Sequence, residues 1–271
     1  MAALVVSAAG LIILSNGRPG GDRLGVLDYA SEVQGGLSRS LKQTLESVEN
    51  LSFQWIASTD LNRVLAAYSS SRELYDVSEP GRVFSEHLEA IARTLPAVED
   101  AVFLDLAEPR RKALTMREHL PLAFVKGLRN DPVVVSAAGS EGRAVWGGPR
   151  FLPEGGNPLI ACARLVKGPG GAVLGCFVVL VNERILAATL NDRLFVDGEP
   201  GPGILRGDLT FIVDADGRLL SSPDRALLGL RLADTFPAAA EAASQGLDPS
   251  SPDAGAGKGG SGADNVEWVW S

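Results

Sequence analysis

Hydrophobic residues recur at helical spacing through the first third of the chain. No proline occurs between residues 26 and 75, and the apolar positions step by three or four: Leu37, Leu41, Leu45, Val48, Leu51 and Trp55. This stripe predicts a long helix that bends or restarts near Asp60, a residue that can cap a new segment. The spacing alone fits either a core helix or a dimeric coiled coil. Another helix is predicted between Pro80 and Pro96.

After Pro96 the spacing changes from helical to strand-like. Residues 101–106 and 112–115 predict a hairpin with its turn at Glu108-Pro109. A short helix is predicted over residues 121–129, ending at Asn130-Asp131-Pro132. Residues 159–166 and 172–181 predict the clearest hairpin in the chain, and residues 182–192 predict a helix after it. The second arm of that hairpin is apolar on both faces, which is typical of a central strand.

A segment rich in Gly and Pro, residues 197–207, precedes a second group of elements. Residues 209–223 alternate around an Asp-Gly turn, which is a strong hairpin signal. Residues 237–246 predict a helix, 248–264 a flexible loop and 266–271 a strand. A GxGxxG pattern occurs at Gly255, Gly257 and Gly260. We interpret it as part of the loop, because dinucleotide binding requires a strand before it and a helix after it.

The longest uncharged run of the chain lies at its N-terminus and contains the mostly apolar residues 2–14. A membrane-spanning helix needs about 20 apolar residues, and a secretory signal carries positive charge ahead of its apolar region. The run satisfies neither requirement by itself. We interpret residues 1–24 as the outer half of a transmembrane or signal-anchor helix with its linker. A buried helix or strand is the alternative.

Composition narrows the function classes. The 271 residues include 25 basic and 33 acidic side chains, for a net charge of −8, which excludes a nucleic-acid binder that relies on clustered Lys and Arg. The two histidines and two cysteines lack metal-ligand spacing, and neither GxSxG nor HExxH occurs. We therefore expect no cofactor and no catalytic site. A secreted hydrolase that uses Asp105, Asp214 and Asp216 is an alternative, although the last two fit turn chemistry better.

Two stretches carry a resemblance to a known family. They are residues 173–186, Val-Leu-Gly-Cys-Phe-Val-Val-Leu-Val-Asn-Glu-Arg-Ile-Leu, and residues 209–223, Leu-Thr-Phe-Ile-Val-Asp-Ala-Asp-Gly-Arg-Leu-Leu-Ser-Ser-Pro, with Leu-Gly at 228–229. They resemble the double Cache (dCache, PAS-like) sensor regions of bacterial transmembrane receptors, especially sensor histidine kinases. The first resembles the closing strand and exit helix of the membrane-distal module, and the second the opening hairpin of the membrane-proximal module. Trp146 with Pro149 is similar to the tryptophan segment of the distal module.

The resemblance implies an α+β fold in which a long N-terminal helix is followed by two PAS-like (Cache) modules. Each module is an antiparallel sheet flanked by helices, and the second is expected to be incomplete because family members have further strands after the position of Trp270. The expected segments are 1–24 (partial membrane anchor and linker), 25–96 (helical lead-in), 97–196 (membrane-distal module) and 197–271 (membrane-proximal module, truncated).

The resemblance also implies a function. The region is expected to lie outside the cytoplasm at the cell membrane, to bind a small organic ligand in its distal module, and to signal to an output such as a histidine kinase of a two-component system. A homodimer through the long helix is a further expectation. A ligand-free dimerisation module is the alternative function.

Ligands of such folds lie over the distal sheet, and aromatic side chains with arginines suit a small carboxylate. Family members that bind amino acids carry Arg-x-Trp and an aspartate near the end of the last distal strand. Here Arg143 stands three residues before Trp146 and the strand positions are Leu180 and Val181, so an amino-acid ligand is not expected. Trp146 is the first candidate, with a core aromatic as its alternative, and the arginines have solvated surface positions as theirs. The ligand-binding candidates are Trp146, Arg150, Arg143, Phe124, Met116 and Arg164.

Cys162 and Cys176 flank the turn of the second hairpin almost symmetrically and could face each other across the strands. An extracytoplasmic location permits a disulfide. Directly opposed strand residues, however, rarely meet disulfide geometry without strain. Two buried thiols are the alternative.

Overall fold

The first described segment of the chain is a strand, and three helices follow it. The structure is a computed structural model, and it describes residues 11–16, 23–72, 76, 78–117, 119–152, 155–191, 195–196, 199–200, 209–213, 217–222, 224–235 and 266–269. Strand β1 is Leu11–Asn16. The helices are α1 (Arg23–Ala57), α2 (Thr59–Ser70) and α3 (Ser78–Ala92).

The apolar stripe in the sequence is the buried side of α1. Leu45, Val48, Leu51 and Trp55 are all buried, as their spacing predicts. The predicted restart is confirmed, but Ser58 caps the new helix: its Oγ accepts a hydrogen bond from the backbone N–H of Leu61 at 3.4 Å. Asp60 lies instead in the first turn of α2, where a negative charge interacts favourably with the helix dipole.

A five-stranded antiparallel sheet follows the helices. Its strand order is β3-β2-β6-β5-β4. Both predicted hairpins are present, because β2 pairs with β3 and β5 pairs with β6. The elements of this region are β2 (Val98–Asp105), β3 (Leu114–Thr115), α4 (Leu122–Leu128), α5 (Pro132–Ala138), β4 (Val145–Arg150), β5 (Leu159–Lys167), β6 (Val173–Asn182) and α6 (Glu183–Asn191).

Helix α5 is an element that the sequence analysis missed. Asp131 caps it through a hydrogen bond that its Oδ1 accepts from the backbone N–H of Val133 at 2.9 Å, and Pro132 occupies its first turn. Proline is favoured there because the first N–H of a helix has no intrahelical partner. The Asp-Pro pair therefore begins a helix as well as following one.

The five-stranded sheet separates two helical layers. On one face, which we call the α5 face, Val102, Val178 and Leu180 form one apolar cluster with side chains of α4 and α5. On the opposite face, which we call the α1 face, the ring of Phe177 lies 5.4 Å from that of Trp55 and 6.1 Å from that of Phe84. Since successive side chains of a strand point to opposite faces, each central strand contributes to both layers.

A second sheet is formed by strands from both ends of the chain. The order is β10-β9-β1-β11, and β9 and β10 form the predicted antiparallel hairpin. Among the described residues, 44–185 belong to one compact unit, and 11–43 with 186–269 belong to another. The remaining elements are β7 (Phe195–Val196), β8 (Glu199–Pro200), β9 (Leu209–Val213), β10 (Leu219–Ser221), α7 (Leu232–Thr235) and β11 (Val266–Val269).

The N-terminal anchor helix predicted within residues 1–24 is wrong for residues 11–16. These residues form β1, which pairs antiparallel with both β9 and β11, so the sheet satisfies the backbone groups that a helix would satisfy internally. The β-branched Ile12 and Ile13 favour a strand. In the described part of the chain, no helix combines the length and the apolar character that a membrane crossing requires. The predictions for residues 237–246 and 248–264, including the GxGxxG pattern, lie outside the described residues.

Candidate functional site

The α5 face is lined by apolar side chains. Strands β2, β5 and β6 contribute Leu104, Ala161 and Leu180, and α4 and α5 contribute Val125 and Val134, all of them buried. Phe124 is partly buried and packs against this cluster. A ligand on this face would therefore meet a largely apolar surface, and any polar contact has to come from its rim.

An ion pair at the N-terminus of α5 supplies charge at that rim. Arg150 donates from Nη2 to Asp131 Oδ1 at 2.6 Å and from Nε to Oδ2, while its Nη1 donates to the backbone carbonyl of Gly148 at 2.7 Å. Burial raises the pKa of Asp131, but the hydrogen bonds from Arg150 and the N–H of Val133 outweigh burial and hold it below its ordinary value. Arg150 is about one-quarter exposed, and its charge is balanced by Asp131.

Two predicted ligand contacts, Trp146 and Arg164, lie on the α1 face instead. Trp146 is paired with Cys162 on β5, and Arg164 is paired with Phe177 on β6. The indole Nε1 of Trp146 donates to Glu49 Oε1 on α1 at 2.7 Å. Arg164 is 9% exposed, and all three guanidinium nitrogens donate hydrogen bonds within the protein.

The other two predicted contacts lie in separate places. Met116 is buried, its N–H donates to the carbonyl of Ala101 at 2.8 Å, and its carbonyl accepts from Ser85 Oγ at 2.6 Å. Arg143 is exposed in the turn between α5 and β4, where its carbonyl accepts from Ser140 Oγ at 2.9 Å. Of the six candidates, Phe124 lies in α4, and Arg150 bonds to Asp131 at the start of α5. A ligand role for any of the six stays a prediction.

A second polar cluster, which the sequence analysis missed, surrounds Asp100 at the start of β2. Asp100 is fully buried, and its Oδ1 accepts from the backbone N–H of Ala101 at 2.7 Å and of Arg117 at 3.0 Å. His119 lies 3.6 Å from Asp100 Oδ2 and 3.4 Å from Glu99 Oε1. Burial raises the pKa of Asp100 to about 7. The sequence signal was an acid at an otherwise apolar position of a buried strand.

Asp105, an acid of the hydrolase alternative, is held in a buried network. Its Oδ2 lies 2.9 Å from Arg111 Nε, and its Oδ1 accepts from the N–H groups of Ala107 and Glu108, both at 2.9 Å. Arg111 also donates to the carbonyls of Ser69 at 3.1 Å and Ser71 at 2.8 Å. These contacts tie the end of α2 to the β2–β3 hairpin, and they hold Asp105 at 1% exposure. Asp214 and Asp216 lie outside the described residues.

This chain is similar to known proteins in its fold. No family model and no curated protein matches the sequence. The ligand-binding domain of the Pseudomonas fluorescens chemoreceptor CtaA, in complex with L-serine, matches with a TM-score of 0.54 at 17% identity, over 80% of this chain and 81% of that one. The ligand-binding domain of the Pseudomonas aeruginosa PAO1 chemoreceptor PctC, in complex with GABA, matches with a TM-score of 0.52 at 17% identity, over 79% and 83%.

A histidine kinase provides the third match. The sensor domain of V. cholerae DctB has a TM-score of 0.54 at 14% identity, over 83% of this chain and 76% of that one. The chain has the fold of a Cache-type sensor domain. The α+β fold class is therefore confirmed, and the resemblance to Cache-type sensor regions is confirmed at the level of the fold.

The two cysteines are free thiols on opposite faces of the five-stranded sheet. Cys162 is paired with Val179 and Cys176 with Leu165, so they do not face each other, and no disulfide joins them. Cys176 belongs to the α5-face cluster, whereas Ser52 of α1 lies beside Cys162. Burial raises the pKa of both thiols, that of Cys176 to about 12.

A surface groove lies between α2 and the turn that joins β5 to β6. Its volume is about 500 Å³, and two of its lining side chains are the cations Arg63 and Lys167. Arg63 lies 3.3 Å from Asp60, and both side chains are about three-quarters exposed. Among the described residues, no group of three or more His, Cys, Asp or Glu side chains is arranged to hold a metal ion. The groove is lined by Thr59, Asn62, Arg63, Ala66, Lys167 and Gly168.

Proposed function

We propose that this chain is the extracytoplasmic ligand-sensing region of a bacterial transmembrane receptor. It binds a small organic ligand in its distal module, residues 97–196, and passes a conformational signal to an output such as a histidine kinase. The observation that carries the proposal is the fold shared with two chemoreceptor ligand-binding domains and one histidine kinase sensor domain. The absence of GxSxG and HExxH from the sequence agrees with a receptor rather than a hydrolase.

The α5 face is the proposed ligand site, with Phe124 and Arg150 as the first contacts. The apolar cluster under α4 and α5 suits a ligand with an apolar body, and Arg150 with Asp131 offers a polar contact at the rim. CtaA and PctC bind L-serine and GABA. This chain has Leu180 and Val181 where an amino-acid ligand would call for an aspartate, so we expect a different small molecule.

A thermal-shift screen of small carboxylates, amino acids, amines and sugars tests the proposal. At a concentration far above its Kd, a ligand raises the unfolding temperature because it binds the folded state. We expect at least one compound to do so, with a smaller shift for Phe124→Leu. Phe53→Leu, on the exposed side of α1, is the matched control and should keep the full shift. No shift with any compound, or an equal loss in both variants, would count against this site.

Helix α1 supports a second candidate function, a ligand-free dimerisation module. Phe53 is 57% exposed on α1 and would offer an apolar contact to a second copy of the chain. Sedimentation of the full chain distinguishes the candidates. A dimer that Phe53→Glu dissociates, together with a screen that yields no ligand, would favour the dimerisation module.

Location can be tested separately from ligand binding. In this test, alkaline phosphatase is fused to the natural protein directly after residue 271 and expressed in a bacterial host. The extracytoplasmic proposal predicts an active fusion, because this reporter folds only outside the cytoplasm. An inactive fusion with an active cytoplasmic reporter at the same site would reverse the assignment.

A further inference from the structure

Arg164 bonds to two parts of the first unit that are far apart in sequence. Its Nε donates to Ser52 Oγ at 2.7 Å and its Nη2 to the carbonyl of Glu49 at 3.1 Å, both on α1. Its Nη1 donates to the carbonyl of Gly142 at 2.9 Å, in the turn that joins α5 to β4. A guanidinium is planar and rigid, so these acceptors are held in a fixed relation to one another.

The contacts on α1 converge on a single helical turn. The carbonyl of Glu49 also accepts from Ser52 Oγ at 2.7 Å, and the carboxylate of Glu49 accepts from Trp146 Nε1. Ser52 is fully buried. Residues 49–52 therefore receive polar contacts from β5 through Arg164 and from β4 through Trp146.

The turn between α5 and β4 is a strained segment. Glu141 has φ of 57° and Gly142 has φ of 91°, both in the left-handed region, and Ser140 Oγ donates to the carbonyls of Ala137 and Arg143. Ala137, near the end of α5, belongs to the apolar cluster of the α5 face. A movement of α5 on the sheet would therefore move the carbonyl of Gly142.

Loss of the hydrogen bond to the carbonyl of Gly142 would leave the Arg164 guanidinium with one acceptor fewer. The side chain is 9% exposed, so it has lost most of its hydration. A buried cation that then loses an acceptor no longer has a hydrogen bond to offset the free-energy cost of that dehydration. The guanidinium must follow the carbonyl or find another partner. Either response changes the hydrogen bonds of Arg164 to Ser52 and Glu49.

We propose that Arg164 is a coupling residue that links the position of α5 to the turn 49–52 of α1. It transmits a displacement on the α5 face, through the sheet, to the helix on the opposite face. In the receptor this would connect ligand binding to α1, and that biological meaning rests on the proposed function. The physical coupling itself does not require a ligand.

Hydrogen–deuterium exchange of the full chain tests the coupling through a double-mutant design. Gly142→Ala places a side chain at φ of 91°, so it strains the turn that carries the acceptor of Arg164. We expect exchange of residues 44–57 to accelerate about tenfold, the factor that corresponds to about 1.4 kcal/mol. In an Arg164→Met background, Gly142→Ala should add less than about twofold, because the link is already broken.

The matched control is Gly155→Ala, in the loop between β4 and β5. Gly155 has φ of 82° and no atom within 4 Å of an added Cβ, so its strain is comparable, while the acceptors of Arg164 lie on α1 and at Gly142. It should leave exchange of residues 44–57 unchanged. The proposal is overturned if Gly142→Ala has the same effect in both backgrounds, has none in the natural background, or is matched by Gly155→Ala.

A second variant covers the case in which Arg164→Met fails to fold. Ser52→Ala removes one acceptor on α1 and keeps the cation, and it should likewise reduce the effect of Gly142→Ala. An unreduced effect would overturn the proposal. Because no ligand is added, these results are independent of the thermal-shift screen. If the screen finds a ligand but the exchange experiment finds no coupling, only the role of Arg164 is refuted. If the exchange experiment finds coupling but the screen finds no ligand, the role of Arg164 stands and the proposed function does not.

Discussion

Asp100 is a carboxylic acid buried at the start of β2. Within the described part of the chain its Oδ2 has no hydrogen-bond partner, while Oδ1 accepts from two backbone N–H groups. Burial raises its pKa from 3.8 to about 7, although the backbone hydrogen bonds and the charge of Arg117 act in the opposite direction. Between these two pH values the folded protein binds a proton that the unfolded chain releases.

The free energy of unfolding should therefore fall as pH rises from about 4 to about 7, by an amount on the order of 4 kcal/mol. Asp100→Asn cannot ionise and keeps an acceptor for both N–H groups. We expect it to match the natural protein near pH 4 and to be more stable at pH 8, measured by urea unfolding. Asp60→Asn, at an exposed position, should follow the natural pH dependence. An unchanged slope in the Asp100→Asn variant would contradict the assignment.

Arg111 and Arg82 both form ion pairs, but their surroundings differ. The Arg111–Asp105 pair is 4% and 1% exposed, whereas Arg82 is 54% exposed and pairs with the exposed Glu79 and Glu86. Removing one partner of a buried pair leaves an uncompensated charge. Exposed pairs are screened by water and salt.

Arg111→Met should therefore lower the free energy of unfolding by about 3–5 kcal/mol, since the Asp105 carboxylate would stay buried without its cation. Arg82→Ala should change it far less although it breaks two ion pairs, because water and salt screen exposed charges. Urea unfolding at pH 7 measures both. Similar losses for the two variants would show that burial does not determine the contribution of the Arg111–Asp105 pair.

Two glycines distinguish the packing of a strand from that of a helix. A Cβ on Gly175, in β6, would lie 2.3 Å from the carbonyl oxygen of Leu104 and 2.7 Å from the ring of Phe103. A Cβ on Gly127, in α4, would have no atom within 4 Å. The first position requires a glycine because neighbouring backbone occupies the space, and the second does not.

Gly175→Ala should lower the free energy of unfolding by about 3 kcal/mol or more, because β2 and β6 would have to separate. Gly127→Ala should raise it by about 0.5–1 kcal/mol, because alanine loses less backbone entropy in a helix. Thermal unfolding of the two variants measures the difference. A tolerated Gly175→Ala would mean that β2 and β6 pack less closely than their pairing indicates.

The elements that could be predicted from the sequence are those whose signals are local. The hairpin of β5 and β6 follows from two apolar runs around a Gly-Pro turn, and the restart at α2 follows from polar residues after Trp55. The Asp-Pro pair at Asp131 was also a local signal, but its helix of seven residues is too short to show a period. A local signal therefore predicts an element only where the element is long enough to show its period.

The face of the sheet on which a side chain lies is harder to predict from the sequence. The pairing of β4 shifts register between Trp146 and Pro149, and this irregularity sets which face Trp146 occupies. The partner of Trp146 is Glu49, 97 residues away. The strand at residues 11–16 depends likewise on partners near residues 210 and 268. A short apolar run fits helix or strand equally until its neighbours are known.

At the scale of the whole molecule, the two faces of the five-stranded sheet are covered by different sets of helices. The α5 face is covered by α4 and α5, which have seven residues each, and the α1 face by helices that include residues 44–57 of α1. Arg164 and Trp146 also bond to α1. Short helices with few polar ties detach at lower free energy than long helices with many. A sensor whose ligand enters on the α5 face would need that cover to open first.

The two cysteines report separately on these covers, because Cys176 lies under α4 and α5 and Ser52 of α1 lies beside Cys162. Both thiols are buried, and burial raises the pKa of each, so neither should react with a thiol reagent at pH 8 in the folded protein. In urea below the global transition we expect Cys176 to react faster than Cys162, measured by mass spectrometry of each peptide. Cys162→Ser and Cys176→Ser serve as controls for the assignment. Equal rates would mean that both covers open only in global unfolding, and faster reaction of Cys162 would place the weaker cover on the α1 face.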